Sequence, residues 1–240
     1  MYEPSKLFYS RGLEPHERNS SPVLEASLLA APPLRLGEAA RASVAAGVDV
    51  LHVDVMDGRF GPEVAFGSAV IKALKREIGD AAPLDVHLLV EDVDRYVEAY
   101  LEAGADIVTI CYETSDNPYK TLETIRKAGR CASLSLLPTT PISVLDELVP
   151  LLDLILIMAV HPGESRFLAS VLTKVTRLRE ATAMQTARAR IGVDGGIKNE
   201  TLPSIMASGA EWIIAGSAIF GTGNIADNIG RLRELATLGS

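Results

Sequence analysis

The sequence has few of the features that mark membrane-embedded, exported or nucleic-acid-binding proteins. Its longest apolar runs, such as LLDLILIMAV, are too short to cross a bilayer, because a spanning helix needs about 20 apolar residues. Only two cysteines are present, Cys111 and Cys131, without metal or redox spacing, which predicts buried thiols in a reducing compartment. Positive charge is not in excess, since the formal net charge is −8, and this disfavours nucleic acid and anionic membranes as partners. We therefore expect a cytoplasmic protein.

The first 22 residues also lack the apolar segment of a signal peptide. They contain Pro, Ser, Arg and Glu, and we expect residues 1–22 to form a loosely ordered N-terminal extension. No Pro-, Gly- or Ser-rich linker and no low-complexity tract divides residues 23–240. A chain of this length that is 48% hydrophobic can bury a large core. Residues 23–240 are therefore predicted to form a single domain.

Within that domain, short β-rich segments alternate with longer segments of helical periodicity. The predicted strands are Leu24–Leu29, Val50–Val55, Leu84–Val90, Asp106–Cys111, Ala132–Leu137, Leu154–Val160, Arg190–Asp194 and Trp212–Ala215. The predicted helices include Arg35–Ala46, Ser68–Ile78, Asp94–Ala103 and Phe167–Met184. Eight strands spread over this domain leave roughly 27 residues for each strand–helix unit, which is typical of a compact (β/α)8 TIM barrel.

A weak internal recurrence supports repeated units of this kind. The segments AGVDVLHV, AGADIVTI and SGAEWIIA each place a glycine after a predicted helix, then an acidic residue, then a strand. The alternative is a doubly wound open sheet. We favour the barrel because no G-x-G-x-x-G motif follows the first predicted strand.

The second predicted strand carries polar residues that an ordinary core strand does not need. It opens the segment HVDVMDGRFGPEVAFG. Because side chains alternate along a strand, His52, Asp54 and Met56 share one face while aliphatic residues occupy the other. The aliphatic face suits packing against helices. The polar face would then point into the barrel near the carboxyl ends of its strands, where barrel enzymes carry their active sites.

Two further predicted strands bring similar residues to the same end. In LDVHLLV, His87 lies on one face, and IGVDGG ends the seventh predicted strand with Asp194 at its tip. Together with His52 and Asp54, these residues could converge on one divalent ion. A mixed nitrogen and oxygen set suits Zn²⁺, Mn²⁺, Fe²⁺ or Co²⁺ better than Mg²⁺ or Ca²⁺.

Each of these residues also has an ordinary structural interpretation. A single histidine on a strand is more often a hydrogen-bonded core residue than a metal ligand, and an aspartate at a strand end often caps the following helix. What favours a metal site is the coincidence of all four residues at the predicted mouth of the barrel.

Two glycine-containing loops predict a phosphate site. The segments VDGGIKNE and IAGSAIFG each follow a predicted strand and lead toward a helix. Glycine lets backbone N–H groups approach a phosphate closely, and barrels often bind phosphate between the loops after strands seven and eight. Alternatively, Gly195, Gly196 and Gly216 only form tight turns.

The combination of these motifs resembles the ribulose-phosphate 3-epimerase family. The segments EASLLAAPPLRLGE, HVDVMDGRFGPEVAFG, DVHLLVEDVDRY, LIMAVHPG and IGVDGGIKNE…SGAEWIIAGSAIFG occur in the order found in that family, over roughly residues 23–235. The resemblance implies a metal-dependent 3-epimerase of a ketose phosphate, of the type that interconverts D-ribulose 5-phosphate and D-xylulose 5-phosphate. It implies one divalent metal ion and a sugar-phosphate substrate. We also expect a homo-oligomer.

The resemblance further implies roles for individual residues. His52, Asp54, His87 and Asp194 would bind the metal, and Asp54 and Asp194 would also be the two acid/base groups at C3. Ser27 matches an active-site serine. The substrate-binding residues would be Ser27, Met56, Met158, Gly195, Gly196, Gly216 and Ser217. With an acid/base group on each face of C3, deprotonation and reprotonation would pass through an enediolate, which a metal ion can stabilise.

The chain departs from the family around the substrate. The loop after the sixth strand usually reads like PGFGGQxF, but here it is PGESRF, which is shorter and has lost glycines. Arg166 in this loop could replace backbone donors by a bidentate contact with a phosphate, or it could be a surface side chain. Leu89, Cys111 and Leu137 also replace residues that are usual in the family.

These departures leave the substrate open, and three alternatives follow. One is the same chemistry on another ketose phosphate, such as a hexulose 6-phosphate. A second is a non-catalytic paralogue that binds a sugar phosphate. The third, a decarboxylase of the orotidine-phosphate type, is disfavoured because Met56 stands where its D-x-K-x-x-D array requires a lysine.

Overall fold

In the computed structural model, which describes residues 22–184 and 189–238, strands and helices alternate along the chain. The strands are β1 (Val23–Ser27), β2 (Val50–Asp57), β3 (Val64–Ala65), β4 (Leu84–Leu89), β5 (Ile107–Cys111), β6 (Cys131–Leu136), β7 (Leu154–Met158), β8 (Arg190–Asp194) and β9 (Trp212–Ala215). The helices are α1 (Leu36–Ala45), α2 (Ser68–Ile78), α3 (Val93–Ala103), α4 (Pro118–Lys127), α5 (Val171–Met184), α6 (Leu202–Ala207), α7 (Ser217–Phe220) and α8 (Ile225–Leu238).

The strands form a closed barrel. Around the ring, β1 pairs with β9 on one side and with β2 on the other, and all barrel strands are parallel. The short strand β3 pairs antiparallel with the end of β2 and lies outside the ring. The predicted (β/α)8 TIM barrel is therefore confirmed, and the open doubly wound sheet is wrong.

Most predicted strands and helices differ from the observed ones by one to four residues at an end, and two of these differences have a clear cause. The first predicted strand continued to Leu29, but β1 ends at Ser27 because residues 28–30 form a 3₁₀ turn closed by the Ala31 N–H and the Leu28 carbonyl. The predicted helix Phe167–Met184 begins only at Val171. Its first residues are tied back to the end of β7, since the Leu168 N–H donates to the Ala159 carbonyl over 2.8 Å. Hydrophobic periodicity shows neither the local turn nor the bond to the end of β7.

Three aspartate carboxylates, two of them buried and that of Asp49 half-buried, fasten the amino ends of the barrel strands. Each aspartate lies just before one strand and accepts a hydrogen bond from the first or second backbone N–H of a neighbouring strand. The pairs are Asp49 with Leu24 (2.8 Å), Asp106 with Leu84 (3.0 Å) and Asp153 with Ala132 (2.9 Å). Two of these aspartates are the acidic residues of the recurring segments AGVDVLHV and AGADIVTI. The recurrence therefore reflects a repeated contact that closes the ring at this end.

The register of the strands brings the polar residues together at the other end. His52 lies opposite Asp85, and Asp54 lies opposite His87, in the parallel pair β2–β4. On the far side of the ring, Asp194 is paired in register with the end of β7. Below these groups lies an apolar inner layer formed by Val23, Val50, Ile107, Cys131, Leu154, Leu156, Trp212 and Ile214. The polar groups thus stand on a packed floor and face the carboxyl ends of the strands.

Of the predicted extension, residues 1–22, only Pro22 belongs to the described part of the chain, so that prediction lies outside it. Among the described helices, none combines the length and apolar character needed to cross a membrane. Both cysteines are buried thiols rather than halves of a disulfide, as predicted.

Candidate active site

Four side chains from three strands converge at the carboxyl end of the barrel. They are His52 and Asp54 on β2, His87 on β4 and Asp194 at the end of β8, and one potential ligand atom from each lies within 4.8 Å of all the others. Asp54 Oδ1 is central: it lies 3.1 Å from His52 Nε2 and 3.3 Å from His87 Nδ1. The sequence-based grouping of these residues is therefore reproduced by the structure, as a cluster that could bind a metal ion.

The orientation of His87 indicates that the cluster suits a cation. Its Nε2 lies 2.9 Å from Ser135 Oγ, which fixes the ring. Its Nδ1 is buried and, within the described residues, has no hydrogen-bond partner. This nitrogen points toward two carboxylates, 3.3 Å from Asp54 Oδ1 and 3.9 Å from Asp194 Oδ2. A buried nitrogen without a partner is costly, and a divalent ion between it and the carboxylates would satisfy it.

His52 is held from its opposite side by two carboxyl groups. Its Nδ1 lies 2.9 Å from Glu25 Oε2 and 3.1 Å from Asp85 Oδ2, and all three side chains are fully buried. Neither Glu25 nor Asp85 was predicted to have a role at the site. A signal was present, because alternation along the strands places Glu25 on the face of Ser27 and Asp85 on the face of His87.

These groups perturb one another strongly. Burial raises the pKa of Asp54, but the neighbouring His52 and His87 imidazoles lower it by more, so it lies well below its ordinary value. Burial lowers the pKa of His52, yet the surrounding carboxylates raise it well above the ordinary value. Burial, with added repulsion from Asp54, raises the pKa of Asp194 to about 6, and burial together with Asp85 raises that of Glu25 to about 8. Strong mutual perturbation of buried groups in one place is typical of a functional site.

A cavity of about 560 Å³ opens above the cluster. Asp54 and Asp194 form part of its wall, whereas His52 and His87 lie fully buried behind them. The predicted substrate-binding residues Ser27, Met56, Met158, Gly195, Gly196, Gly216 and Ser217 all line this cavity. Ser27 also donates from Oγ to Asp54 Oδ2 over 3.0 Å, which orients that carboxylate.

One end of the cavity is shaped by glycines. Gly195 and Gly196 both have positive φ, and a Cβ on Gly196 would lie 2.7 Å from Phe167 Cβ. A side chain there is therefore excluded by both backbone conformation and space. The turn lines the cavity beside Gly216 and Ser217.

Two cations lie near this glycine-rich end. Lys198 lines the cavity, although the sequence analysis did not single it out from the segment VDGGIKNE. Arg166 is exposed and is not part of the lining, but it directly follows Ser165, which is. The predicted contact between Arg166 and a phosphate therefore stays a prediction.

Part of the cavity wall is apolar, since Met56, Leu89 and Met158 line it. Met56, Leu89, Cys111 and Met158 form a buried cluster, against which Leu137 packs. Two of these residues, Leu89 and Cys111, are departures from the family pattern, yet both are packed into this wall. An apolar wall beside the carboxylates restricts water and strengthens electrostatic interactions in the cavity.

Together, the closed barrel, the histidine–carboxylate cluster and the glycine-lined cavity define a (β/α)8-barrel protein with a site suited to a divalent ion. The sequence profile of the "Ribulose-phosphate 3 epimerase family" matches residues 23–220. The chain is 41% identical to the ribulose-phosphate 3-epimerase of Escherichia coli strain K12 over 200 residues, covering 82% of this chain and 88% of that protein. It is 39% identical to the ribulose-phosphate 3-epimerase of a Synechocystis species over 216 residues, covering 88% and 93%. The chain belongs to the ribulose-phosphate 3-epimerase family, and it is an isomerase.

A solved structure with a similar fold is that of KGPDC from Streptococcus mutans. It superposes with a TM-score of 0.68 at 18% sequence identity, covering 91% of this chain and 99% of that one. At this identity the likeness concerns the fold alone.

Proposed function

We propose that the protein is a metal-dependent 3-epimerase of a ketose phosphate, of the type that interconverts D-ribulose 5-phosphate and D-xylulose 5-phosphate. The observation that carries this proposal is the pair Asp54 and Asp194, which reach one cavity from β2 and β8 and flank the His87 Nδ1 that lacks a hydrogen-bond partner among the described residues. Epimerisation next to a ketone needs one group to remove a proton and another to return it on the opposite face. Two carboxylates from different strands suit this task, and family membership supports the same chemistry.

Different residues transfer protons, orient a carboxylate and exclude water in this reaction. One of Asp54 and Asp194 accepts the C3 proton on one face of the substrate, and the other donates a proton on the opposite face. Ser27 keeps Asp54 in place through its 3.0 Å hydrogen bond. The apolar wall that contains Met56 and Met158 excludes water from the carbon while it is deprotonated.

His52, Asp54, His87 and Asp194 would hold the metal ion. Two imidazoles and two carboxylates suit Zn²⁺, Mn²⁺, Fe²⁺ or Co²⁺. Bound there, such an ion supplies Lewis-acid stabilisation of negative charge on substrate oxygens, worth several kcal/mol. An aspartate with an ordinary pKa of about 3.9 is a weak base for a C–H bond, and the pKa of Asp54 lies lower still, so this contribution is needed.

A panel of ketose phosphates in deuterated water tests the function. We expect the metal-loaded protein to convert D-ribulose 5-phosphate to D-xylulose 5-phosphate with deuterium at C3 of the product, as read by NMR. Faster turnover of a hexulose 6-phosphate would assign the same chemistry to another sugar. Binding of these compounds without exchange at C3 would show a non-catalytic paralogue and refute the proposal.

Two matched variants can identify the cation that contacts the phosphate at the glycine-rich end of the cavity. We propose that Arg166 contacts the phosphate, because the loop has lost glycine donors and a guanidinium can form a bidentate contact. Arg166→Ala should then raise KM for a phosphorylated ketose by about tenfold, equivalent to ~1.4 kcal/mol. The change in kcat should be smaller, because the contact is the same in the ground and transition states.

Lys198→Ala is the comparison variant, since Lys198 lines the cavity. A rise in KM for Lys198→Ala alone would transfer the phosphate contact to that residue. Unchanged kinetics in both variants would indicate that the backbone N–H groups of the glycine turns bind the phosphate. A preference of the wild-type protein for the unphosphorylated sugar would overturn the phosphate site itself.

Three further expectations accompany this proposal. They are the cytoplasmic location, the homo-oligomeric state and the division of the chain at residue 22. Size-exclusion chromatography with light scattering measures the second.

A further inference from the structure

A buried carboxyl group lies beside the four-residue cluster, and the resemblance to the family gives it no role. Glu25, on β1, is fully buried in the barrel interior. Its Oε2 lies 2.9 Å from His52 Nδ1, and its Oε1 accepts a hydrogen bond from Trp212 Nε1 over 2.6 Å. Both oxygens are thus occupied, one by the ring of a candidate metal ligand and one by an indole on the neighbouring strand β9.

The surroundings of Trp212 are built to hold that indole. Gly192 on β8 is paired in register with Trp212, and a Cβ on Gly192 would lie only 3.0 Å from Leu156 Cδ1, so the barrel interior beside Trp212 is closely packed. The Arg190 guanidinium lies 5.9 Å from the centre of the Trp212 ring, within the range of a cation–π contact. Trp212 is fully buried, and its indole N–H holds Glu25 through their hydrogen bond.

A second carboxyl group approaches the same imidazole nitrogen from the other side. Asp85 Oδ2 lies 3.1 Å from His52 Nδ1, and Asp85 Oδ1 accepts a hydrogen bond from Thr109 Oγ1 over 2.8 Å. Strands on both sides of β2 therefore direct acceptors at Nδ1. A hydrogen on Nδ1 leaves the lone pair of the neutral ring on Nε2, the nitrogen that faces Asp54 at 3.1 Å.

We propose that Glu25 is a positioning residue of the metal centre. Held by Trp212, it keeps the hydrogen of His52 on Nδ1 and fixes the ring plane, so that Nε2 is presented to a divalent ion. Partners of this kind orient a ligating imidazole and increase its basicity, and their loss typically lowers metal affinity about 10- to 100-fold. The inference rests on the metal site of the proposed function and is independent of the substrate.

The test is the affinity of the purified protein for Co²⁺, measured by competition with a chelator and by the visible absorption of the bound ion. Glu25→Gln keeps the shape of the side chain, but an amide has one acceptor oxygen and cannot accept from both His52 Nδ1 and Trp212 Nε1. Because Asp85 still faces Nδ1, we expect Co²⁺ affinity to fall by about tenfold, the lower end of the usual range. The Co²⁺ absorption band should change as well.

Two further variants separate positioning from general stability. Trp212→Phe removes the donor to Glu25 Oε1 and should weaken Co²⁺ binding in the same direction but by less, which keeps the proposal testable if Glu25→Gln does not fold. Asp153→Asn is the matched control. It changes a buried carboxylate at the amino end of the barrel, where Asp153 binds the Ala132 N–H, and should leave Co²⁺ affinity unchanged. Nitrogen-15 NMR of the histidines should show His52 protonated at Nδ1 in the wild-type complex.

The outcomes distinguish this inference from the proposed function. If the wild-type protein binds no Co²⁺, the metal site itself fails. Wild-type affinity in a folded Glu25→Gln variant would overturn the positioning role alone. Binding of two ions per chain, with one lost in Glu25→Gln, would also overturn it, because Glu25 would then be a ligand.

Discussion

Asp54→Asn and Asp194→Asn are each expected to abolish net epimerisation. Both carboxylates line the cavity, and each is assigned the proton transfer on one face of C3. An asparagine has almost the same shape but cannot accept the proton. General acid–base groups typically contribute 10²- to 10⁴-fold to a rate, so we expect kcat to fall by about three orders of magnitude in each variant.

Because both residues are also candidate ligands, metal content must be measured in every variant used for kinetics. Loss of activity together with the metal would not separate the two roles, so the assays use saturating metal. Asp153→Asn serves as the control for replacing a buried carboxylate. Normal turnover by a metal-loaded Asp54→Asn or Asp194→Asn variant would refute the acid/base role of that residue.

Isotope exchange sharpens the same test. A variant that keeps one of its two carboxylates can still remove the C3 proton from one epimer, although it cannot return a proton on the other face. In deuterated water we therefore expect each variant to exchange the C3 hydrogen of only one epimer. The two variants should exchange opposite epimers. Exchange of the same epimer by both would place the two groups on one face and contradict the arrangement.

His87→Ala should largely remove the metal and with it the activity. His87 Nδ1 is a buried nitrogen without a partner in the described part of the chain, and it points at Asp54 and Asp194. Loss of a metal ligand should weaken binding more than loss of a residue that only hydrogen-bonds to a ligand. We therefore expect divalent-ion affinity to fall by more than about 100-fold. Elemental analysis after dialysis against a weak chelator should show about one ion per wild-type chain and almost none in the variant.

His161→Ala is the matched control, since His161 lines the cavity but is not part of the four-residue cluster. It should retain the metal. Chelator treatment of the wild-type protein should abolish activity, and re-addition of a divalent ion should restore it. An active protein without metal, indifferent to chelation, would contradict the metal assignment.

The sequence predicts the ring of strands because alternation and helical periodicity are local properties. The same alternation places His52 and Asp54 on one face, and their convergence with His87 and Asp194 follows once the strands form a parallel barrel. Positions that depend on contacts between distant segments were not predicted. The start of α5 at Val171 is one example, since the residues before it are tied to the end of β7 by the Leu168 N–H.

The support of His52 shows the same limit. Glu25 and Trp212 are 187 positions apart in the chain, and their hydrogen bond exists because β1 and β9 close the ring. Nothing in either local segment indicates the other. Lys198 was missed for a different reason: a lysine after a glycine turn is common, and only the cavity wall distinguishes it.

The three aspartates that accept hydrogen bonds from backbone N–H groups at the amino end of the barrel affect how this protein can evolve. Asp49, Asp106 and Asp153 fasten the ring at one end, while the loop after β7, at residues 160–167, borders the cavity at the other. Insertions, deletions and exchanges in that loop therefore leave the fastening of the ring intact. A chain can therefore lose two loop glycines and gain Arg166 and still fold. Ligand preference can then change during evolution without a cost in stability at the amino end of the barrel.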